Sequence, residues 1–246
     1  MSGKRLHLSV LVSTNMHTTE LLSQSGIEPW TIVSADYQSG GKGQRGRVWE
    51  SEAGENLTFS VLLKPKIGVS NQYLISAAVS LALVEALDHY GCNALIKWPN
   101  DIIVNNHKIA GLLIENQLKG DRIEYSIVGI GLNVNQVHFS QFRWPATSIK
   151  LENGRQLSYS RDDLLEVVVD LIKLRLNEAE SSGSKIMNQL NERLYKRGEL
   201  VSFDRNGESI QGVIREVTAD GHLMLSEKEG VRAYSNGKIT FRNTFG

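Results

Sequence analysis

Gly40-Gly41-Lys42-Gly43-Gln44-Arg45-Gly46-Arg47-Val48-Trp49 is the stretch on which the fold turns. Its four glycines let a backbone come close to a ligand, and its free N–H groups can form an anion nest. Lys42, Arg45 and Arg47 add three cations within six residues, and Trp49 offers a ring face for stacking. A phosphate beside a flat base is the ligand such a loop suits. Gly41-x-Gly43-x-x-Gly46 also spells the dinucleotide fingerprint, which requires a helix to open at the loop. Here Gly54 and Asn56 come next and then a strand, so that fold is rejected. The protein-kinase loop has the same spelling, but the chain contains neither H-R-D nor D-F-G. Arg47-Val48 stand where a P-loop needs Lys-Ser/Thr.

Outward from the loop, strands are expected at Leu6–Val12, Trp30–Tyr37 and Leu57–Leu63, with a short helix from Met16 to Gln24. Ser70 to Tyr90 has the helical period, carried by Leu74, Ala77, Ala78, Leu81, Val84 and Leu87. Leu95–Trp98 is a strand halted by Pro99. Ile102–Val104 and Lys108–Glu115 form a hairpin about Asn105-Asn106, and Arg122–Asn133 pairs back through Lys119-Gly120-Asp121. A helix runs from about Arg161 to Glu180, with Ser160 and Asp163 as a capping-box variant, and a shorter one reaches about Leu194. Beyond Lys196, short strands alternate with Asn206-Gly207, Asp220-Gly221 and Asn236-Gly237 turns, the texture of an SH3-like barrel. The class is therefore α+β, a mixed sheet with helices plus a small β-barrel, divided at 1–194 and 195–246.

Composition narrows the function. The chain has 246 residues, 41% of them apolar, enough for a sizeable core. Lys+Arg and Asp+Glu are both 27, which argues against a protein that grips nucleic acid by bulk charge. The lone Cys92 excludes an internal disulfide framework and a cysteine-ligated zinc site. No apolar run approaches the ~18 residues of a membrane span, and His7 and Ser9 interrupt the start as a signal. A cytoplasmic setting is the expectation.

Other constellations lie along the strands. Lys97-Trp98-Pro99-Asn100-Asp101 presents an amide and a carboxylate at a strand end, either an Asx-type turn or an oxygen pair suited to Mg²⁺. Lys108 interrupts an apolar strand, as an edge lysine or as a cation for carboxylate or phosphate. Gly129 and Gly131 sit inside a strand that continues into Asn133, marking a bulge or a close approach. Ser13-Thr14-Asn15 could cap a helix or bond a polar ligand head. The histidines lack metal spacing, and no G-x-S-x-G elbow occurs.

Taken in order, Ser-Thr-Asn, a Gly/Arg loop ending in Arg-x-Trp, Lys-Trp-Pro-Asn-Asp, Lys-Ile-Ala-Gly and Gly-Ile-Gly-Leu-Asn-Val-Asn resemble the biotin–protein ligases over about Leu8 to Phe241. The resemblance implies a ligase that makes biotinoyl-5′-AMP from biotin and ATP with Mg²⁺, then transfers biotin to a lysine of a biotin carboxyl carrier domain. It implies biotin contacts at Ser13, Thr14, Asn15, Gln38, Lys42, Gly43, Gln44 and Lys108. Nucleotide contacts fall at Gly41, Arg45, Arg47, Trp49, Gly131 and Asn133. Lys108, Arg45, Arg47 and Asp101 would be the catalytic groups, and Asn100 with Asp101 the Mg²⁺ ligands. A homodimer is compatible with the resemblance; a membrane partner is not expected.

Two departures stand out. The family loop usually reads Gly-Arg-Gly-Arg-Arg-Gly-Arg, whereas this chain has Lys42 and Gln44 at the first two arginines. Retention of the adenylate should then rest on Lys42, Arg45, Arg47 and Lys108 rather than on Gln44. Some relatives carry a DNA-binding winged helix before the catalytic part; only about seven residues precede the first strand here, so no DNA partner is expected. The nearest rival is a lipoate or octanoate ligase or transferase of the same superfamily, and a rival of another class is a non-catalytic biotin- or nucleotide-binding module.

Overall fold

The computed structural model describes residues 3–140, 144–154 and 156–242. Strand β1 (Arg5–Leu11) leads into helix α1 (Thr14–Ser25) and strand β2 (Ile32–Gln38). β1 and β2 pair in parallel, so α1 is a crossover lying on one face of the sheet. Then come β3 (Leu57–Leu63), α2 (Tyr73–His89), β4 (Leu95–Lys97), β5 (Asp101–Val104), β6 (His107–Lys119) and β7 (Arg122–Leu132). Every other pairing in this sheet is antiparallel, giving a seven-stranded mixed sheet of order β1-β2-β3-β7-β6-β5-β4.

Every residue of β3 is buried, because the strand is central and both its faces are covered. Leu57, Phe59, Val61 and Leu63 face the main apolar cluster with α2. Thr58 and Ser60 face the other way, beside α1. α2 is apolar around its whole circumference, from Leu74 to Leu87, and such a helix must be buried on all sides. Its cover is α4 (Arg161–Ser181), whose Leu164, Leu165, Val168, Val169, Ile172, Leu176 and Ala179 repeat at helical spacing, and α5 (Gly183–Glu192). The expected cap of α4 is present: Ser160 Oγ accepts from Asp163 N at 3.2 Å. A single turn, α3 (Ile149–Glu152), precedes α4. Asn105 and Asn106 both take positive φ, as the expected β5–β6 hairpin turn requires. No helix among the described residues is long and apolar enough to cross a membrane.

A second sheet closes the chain: β8 (Leu200–Arg205), β9 (Glu208–Val217), β10 (Leu223–Glu227), β11 (Gly230–Tyr234) and β12 (Thr240–Phe241). It is antiparallel throughout, of order β11-β10-β9-β8-β12, consistent with an SH3-like unit. The two-residue β12 is too short to leave a strand signature in the sequence. Phe203, Ile214, Leu223 and Phe241 belong to the same apolar cluster as Phe59 and Leu83. Asn191 of α5 clamps the small sheet by bonding both backbone groups of Val217, at 2.7 and 3.0 Å.

Candidate active site

A cavity of about 550 Å³ lies between the large sheet, the basic loop and the last turn and strand of the small sheet. Its floor is built by missing side chains. Gly131 pairs with Gly111 across β6–β7, and Gly129 stands two residues away on the same face. A β-carbon on Gly131 would fall on the Trp49 indole, and one on Gly129 would overlap the Asn15 carboxamide. Of the two meanings that glycines inside a strand can have, these carry the close approach of other groups rather than a bulge.

The first corner belongs to α1. Thr14 N donates to Gln38 Oε1 at 2.8 Å, and the Thr14 hydroxyl lies 3.2 Å from the same oxygen. Asn15 Nδ2 donates to Leu113 O and to Glu115 Oε2. The Ser60 hydroxyl donates to Asn15 Oδ1 at 2.6 Å and lies 2.7 Å from the Thr14 hydroxyl. Ser13 precedes the helix in an extended conformation and makes no capping bond, so the helix opens two residues earlier than its periodicity suggests. Ser60 belongs to none of the sequence motifs; its one sequence signal is a hydroxyl, like that of Thr58, on an inner strand whose other residues are apolar.

At the middle of the cavity, Asp101 lies between two lysines. Lys108 Nζ is 2.5 Å from its Oδ1 and Lys97 Nζ is 3.1 Å from its Oδ2. Lys97 and Asp101 face each other across the β4–β5 hairpin. The Trp98–Pro99 peptide there is cis. The buried Trp98 ties the turn to the small sheet by donating from Nε1 to Gly221 O at 2.9 Å. Burial would raise the Asp101 pKa, but Lys108 and then Lys97 outweigh it and hold the carboxyl below its ordinary range. Burial is also the main influence on Lys97; it lowers that pKa against the pull of Asp101, with Lys108 and Arg47 adding to the lowering. The Lys97 ammonium is walled by Trp144 and Phe241, 4.4 and 5.0 Å from their ring centroids. The sequence motif assigns Lys97 no role; only the fold reveals that it shares Asp101 with Lys108.

The far corner is aromatic. Trp49 packs on Gly131 with Lys108 Nζ 5.5 Å from its ring centroid. Asn133 Nδ2 donates to Thr147 O at 2.9 Å. Two buried polar atoms, Trp49 Nε1 and Asn133 Oδ1, have no hydrogen-bond partner among the described residues. An orphaned donor and an orphaned acceptor cost free energy unless a ligand satisfies them.

Fifteen of the sixteen predicted site residues therefore line one cavity: Ser13, Thr14, Asn15 and Gln38; Lys42, Gly43, Gln44, Arg45, Arg47 and Trp49; Asn100, Asp101, Lys108, Gly131 and Asn133. Gly41 does not. Its carbonyl accepts from Trp49 N at 3.0 Å, closing the base of the loop behind Gln38. Arg45 lines the cavity, and its guanidinium donates to Asn236 O and Gly237 O of the small sheet. The residues expected to hold Mg²⁺ are engaged by other groups. Each Asp101 oxygen faces an ammonium, and Asn100 Nδ2 is spent on Leu112 O, so a divalent cation there would meet two positive charges. Among the described residues no cluster of three metal-binding side chains occurs.

Residues 8–133 match the biotin/lipoate A/B protein ligase family. Over 238 residues the chain is 35% identical to the biotin–[acetyl-CoA-carboxylase] ligase of Paracoccus denitrificans, covering 93% of this chain and 97% of that one. The chain belongs to the biotin–protein ligases. It is a ligase, and its fold is theirs: it superposes on the biotin protein ligase of Aquifex aeolicus, solved with biotin and ATP, with a TM-score of 0.82 and 27% identity over 98% of this chain and 99% of that one. The bifunctional ligase/repressor BirA of Bacillus spizizenii is 28% identical over 96% of this chain and 74% of its own length.

Proposed function

We propose that the chain joins biotin to ATP, releasing pyrophosphate, and transfers the biotinoyl group to a lysine of a biotin carboxyl carrier domain in the cytoplasm. The observation that carries this reading is the layout of the cavity. A neutral hydrogen-bonding corner, a cationic middle and an aromatic corner with an orphaned acceptor succeed one another in it.

The neutral corner of Ser13, Thr14, Asn15 and Gln38 suits the ureido ring of biotin, which carries both donors and an acceptor. The Asn133 Oδ1 suits the exocyclic amine of adenine, with Trp49 under the ring. Between them, a carboxylate oxygen of biotin attacks the α-phosphorus, and the bond to the β-phosphate oxygen breaks with its electrons leaving on pyrophosphate. Lys108 and Arg47 stabilise charge that grows on the α-phosphate, and preorganised cations do this without reorganisation. No protein nucleophile is needed, because both reacting groups come from substrates.

In the second step the carrier's neutral amine attacks the acyl carbon, the bond to the phosphate oxygen breaks with its electrons leaving on AMP, and the proton shed by the amine passes to water. Asp101, ionised at neutral pH, accepts the hydrogen bond that orients this amine. Lys42, Gly43 and Gln44 cover the mixed anhydride and keep water out. ATP enters as its magnesium complex, and no step is assigned to a metal held by Asn100 or Asp101.

Pyrophosphate–ATP exchange tests the reading. Exchange is expected with biotin and not without acid. Exchange with lipoate alone would move the chain to lipoate chemistry, and absence of exchange from folded protein would leave a binding module.

A further inference from the structure

The basic loop is tied to the small sheet at the turn before β12. Arg45 Nη1 donates to Gly237 O at 3.0 Å and Nη2 to Asn236 O at 2.8 Å. Asn236 Nδ2 donates in return to Gln44 Oε1 at 3.0 Å. Asn236-Gly237 is a turn closed by Lys238 N on Ser235 O, and Gly237 has φ +81°, a region that disfavours a β-carbon. A β-carbon on Gly237 would overlap the Arg45 guanidinium. Arg45 itself has φ +58°, uncommon for a residue with a side chain, so its backbone is held in a conformation that something must maintain.

We propose that the Asn236–Gly237 turn is a positioning element of the ligase reaction, holding the basic loop over the cavity through the Arg45 guanidinium. Two charge-assisted bonds to carbonyls carry most of the attachment, and the neutral Gln44–Asn236 bond carries less. The small sheet thereby sets how long the loop stays down over a bound adenylate. The proposal deepens the adenylate reading of the cavity and rests on it, but its first test does not.

That test is limited trypsin digestion of the ligand-free chain, tracking cuts after Lys42, Arg45 and Arg47 by mass spectrometry. Gly237→Ala should expel the guanidinium and speed these cuts about tenfold, equivalent to about 1.4 kcal/mol. Gly207→Ala is the matched control, since Gly207 has φ +89° in a turn of the same sheet and open space at its β-position. It carries the same backbone strain and should leave the loop cuts unchanged. Asn236→Ala, which leaves the backbone alone, should speed them about two- to threefold. Equal cutting of Gly237→Ala and Gly207→Ala, or no rise with Asn236→Ala, overturns the proposal. The second readout is loss of preloaded biotinoyl-AMP, expected to quicken about tenfold in Gly237→Ala, with KM for ATP raised more than kcat is lowered. If the unaltered chain forms no biotinoyl-AMP, the ligase reading fails while the digestion result still decides the positioning role.

Discussion

Trp49 lies close enough on Gly131 that the indole occupies the place of a β-carbon on that residue. The contact joins the end of the basic loop to β7, so the strand and the loop determine each other's position. Gly131→Ala should displace the indole and raise KM for ATP about tenfold or more, at a stability cost of about 1–3 kcal/mol from overpacking. Pyrophosphate exchange across ATP concentrations, with a thermal melt beside it, checks both. An unchanged KM would mean that Trp49 does not contact the nucleotide.

Asn133 supplies the acceptor that Trp49 lacks. Its Oδ1 is buried and unpartnered among the described residues, while its Nδ2 is fixed by Thr147 O. A fixed acceptor favours an exocyclic amine over a carbonyl at the same position. Exchange should therefore prefer ATP to ITP, and Asn133→Ala should shrink that preference about tenfold. An equal preference in both proteins would show that the acceptor does not read the base.

Ser60 acts at the opposite corner. Its hydroxyl holds the Asn15 carboxamide and touches Thr14, all three being buried. Ser60→Ala should leave ATP binding alone and raise KM for biotin about tenfold, with a loss of about 1–3 kcal/mol for the unsatisfied partners. Equal effects on both substrates, by titration of each, would argue for a general loosening instead.

Asp101 predicts an acid sensitivity. Its folded pKa is depressed, so on acidification the unfolded chain takes up this proton first, near the ordinary value of about 3.9. The stability it contributes is complete above that value and is lost as pH falls through the folded pKa. Asp101→Asn removes this part of the acid slope. At neutral pH it leaves Lys97 buried without its carboxylate, at a cost of about 3–5 kcal/mol. Urea melts at neutral and acidic pH measure both, and identical acid slopes in the two proteins would refute the assignment.

The sequence is legible where its physics is local. The Asn105-Asn106 turn, the Ser160 cap and the apolar circumference of α2 depend on neighbours within a few residues, and each is present. A dinucleotide fold needs a helix directly after the glycine-rich loop, and β3 stands there as the next long element instead. The illegible parts depend on pairs distant in the chain. Lys97 meets Trp144 and Phe241, Ser60 meets Asn15, and Arg45 meets Asn236 across intervals that no sequence period encodes. The Lys108–Asp101 pair is hidden for the same reason, because Lys108 reaches Asp101 only once β5 and β6 have paired.

The apolar cluster that runs from Phe59 and Leu83 through to Phe203 and Phe241 has a consequence for inheritance. A segment with its own sealed interior can be shuffled between genes as a cassette. This small sheet shares its interior with the large one, because Phe241 packs on Phe203 on one side and on Trp144 on the other. A chimera joining this large sheet to a distant relative's small sheet would inherit half a seam.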